Sequence, residues 1–153
     1  MFSVFDEQLC LPHNNNNLNL KLSGSYGTLQ SPMENYDPGL KCEWLITVSE
    51  EKVVELSFDR FQLHPSDPSV ECLHNSLQVY EGERNTKGDS LGTYCDHVVP
   101  ESLTSSGRYM WVRFISEIGY DEKNPGFKAT FKAVDKKNKL KVFKSRYDSI
   151  FFL

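Results

Sequence analysis

Hydrophobic residues alternate with polar residues in short runs along most of the chain. From residue 24 to residue 134 these runs are separated by Gly, Pro, Asn and Asp, which is typical of strands joined by turns. The alternating apolar positions are Cys42, Trp44, Ile46 and Val48; Val54, Leu56 and Phe58; Leu77 and Val79; Met110, Val112 and Phe114; and Phe127, Ala129, Phe131 and Ala133. No helical segment separates these runs. The pattern therefore predicts an all-β fold, an antiparallel β-sandwich.

The hydrophobic period changes after Val134. Leu140, Phe143, Tyr147 and Ile150 recur at helical spacing between lysines. We predict three regions: an N-terminal extension over 1–9, a β-sandwich domain over 10–134, and a basic C-terminal tail over 135–153. The tail is interpreted as disordered or as a short amphipathic helix.

The composition fits one globular domain with an uneven charge. The chain has 153 residues, of which 39% are hydrophobic and 25% are charged. Residues 1–131 carry a net charge of -9 and residues 132–153 carry +5, which gives -4 overall. An acidic body argues against nucleic acid as a partner. The basic tail alone suggests an alternative function, binding to an anionic surface.

Four cysteines lie at positions 10, 42, 72 and 95 without a C-x-x-C pair. Zinc knuckles and thioredoxin-like redox sites need cysteines that are close in sequence. Two disulfides are therefore favoured over four reduced core cysteines, although spacing leaves three connectivities open. Disulfides indicate an extracellular compartment.

Targeting signals give no direct support for secretion. The N-terminus MFSVFDEQLC lacks the apolar run of a signal peptide, and no stretch of about 18 apolar residues predicts a transmembrane segment. We therefore expect a fragment of a longer secreted or membrane-anchored protein, or a sequence that lacks its true start.

Residues 10–134 contain a series of motifs in a fixed order. They are Cys10, Gly24 to Pro32, Cys42-Glu43-Trp44, Phe61-Gln62-Leu63, Cys72, Cys95, Ser105-Ser106 and Gly126-Phe127. In this order they resemble a CUB domain. The resemblance implies a jelly-roll-like sandwich with disulfides Cys10–Cys42 and Cys72–Cys95. Independently, Trp44 shares a strand face with Cys42, and Gly126 permits a backbone bend before the final strand.

Many CUB domains bind calcium through a Tyr, a Glu and two Asp. Here the matching positions hold Tyr36, His64, Asn75 and Glu117. Because Ca²⁺ prefers charged oxygen ligands, we predict no cofactor and regard these positions as a vestigial site. Two alternatives remain: weak Ca²⁺ binding rescued by Asp67, Asp121 or Glu122, and a zinc site formed by His64, His74 and Glu117.

The resemblance implies a non-catalytic extracellular module that binds a protein or glycan through loops at one end. The sequence has no G-x-S-x-G, H-E-x-x-H or phosphate-binding glycine motif, so we predict that it is not an enzyme. The candidate binding residues are Tyr36, His64, Asn75, Glu117, Tyr120 and Asp121. An alternative is a fragment of a receptor or secreted protease in which the domain positions a partner or substrate. Trp111 is either an exposed anchor or part of a second core face.

Overall fold

The computed structural model describes residues 8–9, 17–32, 38–64, 72, 74–83, 89–117 and 124–136. These residues form ten strands: β1 (Gln8–Leu9), β2 (Asn17–Ser23), β3 (Tyr26–Gln30), β4 (Leu40–Thr47), β5 (Lys52–Gln62), β6 (Asn75–Glu81), β7 (Ser90–Tyr94), β8 (Leu103–Thr104), β9 (Tyr109–Ser116) and β10 (Gly126–Asp135). Within this part of the chain, no helix has the length and hydropathy needed to cross a membrane.

The strands build two five-stranded sheets. The first has the order β1-β3-β10-β5-β8 and the second has the order β2-β4-β9-β6-β7. Neighbours are antiparallel except for β1 with β3 and β2 with β4, which are parallel. The prediction of an all-β sandwich is confirmed. Strand β1 lies in the segment that the sequence assigned to an N-terminal extension.

The alternating apolar residues face one another between the sheets. Trp44 on β4 packs edge-on against Phe127 on β10, with ring centroids 5.6 Å apart. Phe114 on β9 contacts the same Phe127 ring at 5.5 Å. All three side chains are fully buried. Each such aromatic pair contributes about 0.5–1.5 kcal/mol beyond the burial of apolar area.

Strand β5 does not keep its alternation to the end. Lys128 pairs with Arg60 and Ala129 pairs with Phe58, so Asp59 is an extra residue in β5. A bulge of this kind changes the face on which the following side chains lie. Phe61 therefore returns to the core at 1% exposure, while Phe58 is only partly buried at the core margin.

Trp111 lies on the outer face of the second sheet. Its ring stacks on Tyr80, with centroids 4.7 Å apart and an interplanar angle of 28°. The two residues are opposite each other on β9 and β6, a position from which aromatic side chains interact directly. Trp111 is thus half-buried by its neighbour rather than packed in a second core.

Gly126 starts β10 with a backbone that favours glycine. Its φ angle is +113°, and a Cβ atom there would overlap the Ser31 hydroxyl oxygen. That oxygen accepts a hydrogen bond from the backbone N–H of Phe127 at 3.0 Å. The bend predicted from the sequence is therefore present, and it allows β10 to meet the end of β3.

We expect Gly126→Ala to lower the free energy of unfolding by about 2 kcal/mol or more, because positive φ and the overlap with Ser31 both disfavour a β-carbon. Urea denaturation measures this change. Gly107→Ala is the control, since no atom lies within 4 Å of its added Cβ. Equal stability of the two variants would contradict the prediction.

Candidate functional site

The strand register brings four connecting segments to one end of the sandwich. Gly126 at the start of β10 pairs with Gln62 at the end of β5. Ser116 at the end of β9 pairs with both Leu40 and Asn75, which start β4 and β6. The described residues of segments 31–39, 63–74, 95–102 and 117–125 therefore lie together. We call their described residues, 31–32, 38–39, 63–64, 72, 74, 95–102, 117 and 124–125, the loop end.

A disulfide joins two of these segments. Cys72 and Cys95 are bonded, and their Cα atoms are 5.3 Å apart. The prediction of this pair is confirmed, and it ties the segment before β6 to the end of β7. Cys42 is fully buried on β4. Cys10 lies outside the described residues, so the Cys10–Cys42 pair stays a prediction.

Two histidines meet at the loop end. The rings of His64 and His74 pack edge to face, with centroids 6.3 Å apart. The backbone N–H of Glu117 donates a hydrogen bond to the carbonyl of His74 at 3.2 Å. The structure therefore brings His64, His74 and Glu117 into neighbouring positions, although their segments are far apart in sequence.

Asn75 follows His74 but faces inward. It is only 2% exposed, and it pairs in register with Ser116, which is fully buried. A side chain with so little exposed surface offers a partner little to contact. The binding role predicted for Asn75 is therefore restricted to its effect on the shape of the neighbouring segments.

Several predicted site residues lie outside the described part of the chain. These are Tyr36, Tyr120 and Asp121, together with Asp67 and Glu122, the other two acids considered for calcium rescue. Their proposed roles in binding remain predictions.

The described residues at the vestigial calcium positions do not fit a calcium ion. They provide an imidazole, a buried amide and one exposed carboxylate, whereas Ca²⁺ takes six to eight oxygen ligands and depends on their charge. Across the described residues, no three His, Cys, Asp or Glu side chains form a group that could hold a metal ion. This finding removes the zinc alternative at His64, His74 and Glu117.

The sequence prediction missed four residues of the loop end. His97 and Asn124 are joined by a hydrogen bond between Nε2 and Oδ1, and Asn124 is 7% exposed. Between Asp96 and Pro100, Val98 and Val99 are 74% and 54% exposed. The available signal was two adjacent valines in a segment that has no strand alternation.

The described loop end is acidic. Its charged residues are Asp96, Glu101 and Glu117, and it contains no Lys or Arg. Behind it, burial and then the negative charge of Glu101 raise the pKa of Tyr94 above its usual value, so this phenol stays neutral at neutral pH. Its hydroxyl donates to the carbonyl of Leu91 at 3.5 Å. The acidity favours basic groups on a partner.

Comparison with known proteins agrees with the sandwich and its register. The sequence model described as CUB domain matches residues 19–131. The chain belongs to the CUB domain family. Human cubilin is 33% identical over 118 residues, which cover 74% of this chain and 3% of cubilin. Human procollagen C-endopeptidase enhancer 1 is 31% identical over 114 residues, which cover 74% of this chain and 24% of the enhancer.

A solved structure shows the same fold. The CUB1-EGF-CUB2 domains of rat MASP-1 match with a TM-score of 0.65 and 28% identity, over 80% of this chain and 45% of that chain. This CUB domain thus spans a small part of the curated relatives named above. CUB domains of this kind are extracellular protein-interaction modules in multidomain proteins, and the domain itself is not catalytic.

We expect Cys72→Ser combined with Cys95→Ser to lower the free energy of unfolding by about 3–4 kcal/mol. The reason is that the disulfide, which links residues with a sequence separation of 23, no longer constrains the unfolded chain. Urea denaturation of the oxidised wild type and the variant measures the change. Mass spectrometry after alkylation is the control, and all four cysteines of the wild type should stay unalkylated until a reductant is added. Free thiols at Cys10 and Cys42 would contradict the predicted second pair.

Proposed function

We propose that this CUB domain is a calcium-independent binding module that contacts an extracellular protein through its loop end. A rigid sandwich that presents several loops at one end is a common arrangement for recognition. The observation that carries the proposal is the meeting of His64, His74 and Glu117 beside the Cys72–Cys95 disulfide. Tyr36, Tyr120 and Asp121 are proposed to complete the surface.

Independence from calcium follows from the donor atoms. An imidazole at His64 and an amide at Asn75 lack the negative charges of the carboxylates that the calcium-site motif of the family has at these positions. Other contacts must therefore fix the loops. The disulfide and the backbone hydrogen bonds from Glu117 to His74 and from Leu63 to Asp96 provide such contacts.

The parent protein is proposed to be a multidomain receptor or secreted protein in which this domain positions a partner or substrate. The support is the small share of the curated relatives that the chain covers, 3% of human cubilin and 24% of the human enhancer. In such an arrangement the domain supplies binding, and any chemistry belongs to other domains.

The basic tail provides a second candidate function, the binding of an anionic surface, which can be tested separately from binding at the loop end. Strand β10 ends at Asp135, whose carboxylate pairs with Lys52 at 2.6 Å. This pair lies at the opposite end of the sandwich, which we define by turns 24–25, 48–51 and 105–108 and by Lys136. The tail therefore continues from Lys136, at the end opposite to the loop end.

The full chain is first tested for binding to an array of immobilised extracellular domains. We expect Glu117→Ala with His64→Ala to weaken binding to the partners found there by about tenfold or more, because both side chains belong to the proposed contact surface. Surface plasmon resonance measures each hit. The matched control is Glu51→Ala, which removes an exposed glutamate from the opposite end.

Substitution of Lys137, Lys139, Lys141, Lys144 and Arg146 by Gln tests the tail in the full chain. If binding is lost with these substitutions and falls steeply with salt, while the loop-end variant binds normally, the tail is the site and the loop-end proposal is wrong.

We expect millimolar Ca²⁺ to leave the melting temperature of the wild type unchanged, because the donor set lacks charge. His64→Glu with Asn75→Asp should gain a melting temperature that rises with Ca²⁺, as ligand binding to the folded state requires. Differential scanning fluorimetry measures both, with Mg²⁺ as the control ion. A saturable Ca²⁺ shift in the wild type would show that neighbouring acids restore the site.

A further inference from the structure

Two adjacent valines are exposed at the loop end. Val98 is 74% exposed and Val99 is 54% exposed; within the described residues, Tyr26 at 74% is the other large hydrophobic side chain with this exposure. Single exposed hydrophobic residues are common and need no explanation. Two together on a segment that the fold holds in place are a different case, because neighbouring residues both keep apolar side chains in water.

The segment is fixed on its N-terminal side by three contacts. Cys95 is bonded to Cys72. The carbonyl of Asp96 accepts a hydrogen bond from the backbone N–H of Leu63 at 2.9 Å, and Asp96 has a φ of +60°. The His97 ring is hydrogen-bonded to the side chain of Asn124, which is itself 7% exposed.

The segment is fixed on its C-terminal side as well. Pro100 is buried and Leu103 pairs with Leu56 of β5. The hydroxyl groups of Ser102 and Ser57 lie 3.3 Å apart. Residues 95–103 therefore run along the edge of β5 between two sets of contacts, and the valines lie between them.

Such a segment loses little entropy when something binds it. Its backbone is already restricted, and a β-branched side chain has few rotamers to lose. Covering apolar surface on a preorganised segment is therefore an efficient source of affinity. A restricted backbone with exposed apolar side chains is therefore suited to act as an apolar anchor for a partner.

The charged residues near the valines indicate which charge the partner should carry. Asp96 and Glu101 flank the pair in sequence, and Glu117 belongs to the same end. Because the described loop end has no Lys or Arg, its potential is negative. An apolar side chain of a partner would bind best when basic residues lie beside it.

We propose that Val98 and Val99 form the apolar anchor of the loop end and bind a protein segment in which an apolar side chain lies next to Lys or Arg. This inference rests on the proposed function and adds to it the contact residues and the chemistry of the partner. His64 and Glu117 then act as the polar rim beside the anchor.

The experiment selects a phage-displayed library of random peptides on the immobilised full chain and measures the enriched peptides by fluorescence anisotropy. Val98→Ser with Val99→Ser removes the anchor without adding charge. Tyr26→Ser is the matched control, because it removes an equally exposed hydrophobic residue elsewhere. His64→Ala with Glu117→Ala tests the rim. Circular dichroism and melting temperature verify that every variant is folded.

We expect enriched peptides to combine apolar and basic residues, to bind the double-valine variant about tenfold more weakly or worse, and to bind the Tyr26 variant like the wild type. If only the rim variant weakens binding, the anchor is wrong while loop-end binding stands. If no peptide is enriched, or if only Tyr26→Ser weakens binding, the anchor and loop-end binding are both wrong. Valine-dependent self-association in sedimentation, without peptide binding, would identify a second copy as the occupant and overturn the proposed partner.

Discussion

The burial of the Phe127 ring between the sheets is the interaction on which the other features depend. Trp44 and Phe114 reach this ring from β4 and β9 of the second sheet, whereas Phe127 belongs to β10 of the first. The contact therefore fixes the start of β10 against two strands of the second sheet. Because residues 124–126 come directly before Phe127, the same contact sets where the last segment of the loop end finishes.

The proposed recognition through the loop end requires that its segments are held in place. Here the described connections are covalent and hydrogen-bonded, through Cys72–Cys95, Leu63 to Asp96, and His97 to Asn124. Such connections do not depend on the concentration of an ion, and they are the basis on which calcium independence is proposed.

The sequence predicted most of the fold because alternation reports directly which side of a strand is buried. The positions of Trp44, Val112 and Phe131 follow from that pattern alone. The bulge at Asp59 could not be predicted, since an extra residue in β5 is defined only by its pairing with β10. The stacking of Trp111 on Tyr80 likewise depends on the register of β9 against β6, which no local pattern contains.

The candidate site was predicted in part for a related reason. Cysteines and the motif positions of a known family can be recognised in sequence, so the Cys72–Cys95 pair and the neighbouring His64 and Glu117 were found. Val98 and Val99 match no motif, and hydrophobic residues are expected to be buried. Their exposure arises because residue 96 is hydrogen-bonded to Leu63, just after β5, and residue 103 pairs with Leu56 of β5, so the backbone between them follows the edge of the sheet.

The exposed valines and the buried core use their apolar surface differently. Apolar surface contributes about 25 cal/mol per Å² only when it leaves water, and Val98 keeps most of its surface in water when the chain folds. Its contribution to folding is therefore small, and the same surface remains available to a partner. The core around Phe127 has the opposite character, since its apolar area is already used in folding. Stability is thus concentrated between the sheets, and the proposed binding surface lies at the loop end, where apolar surface stays in water.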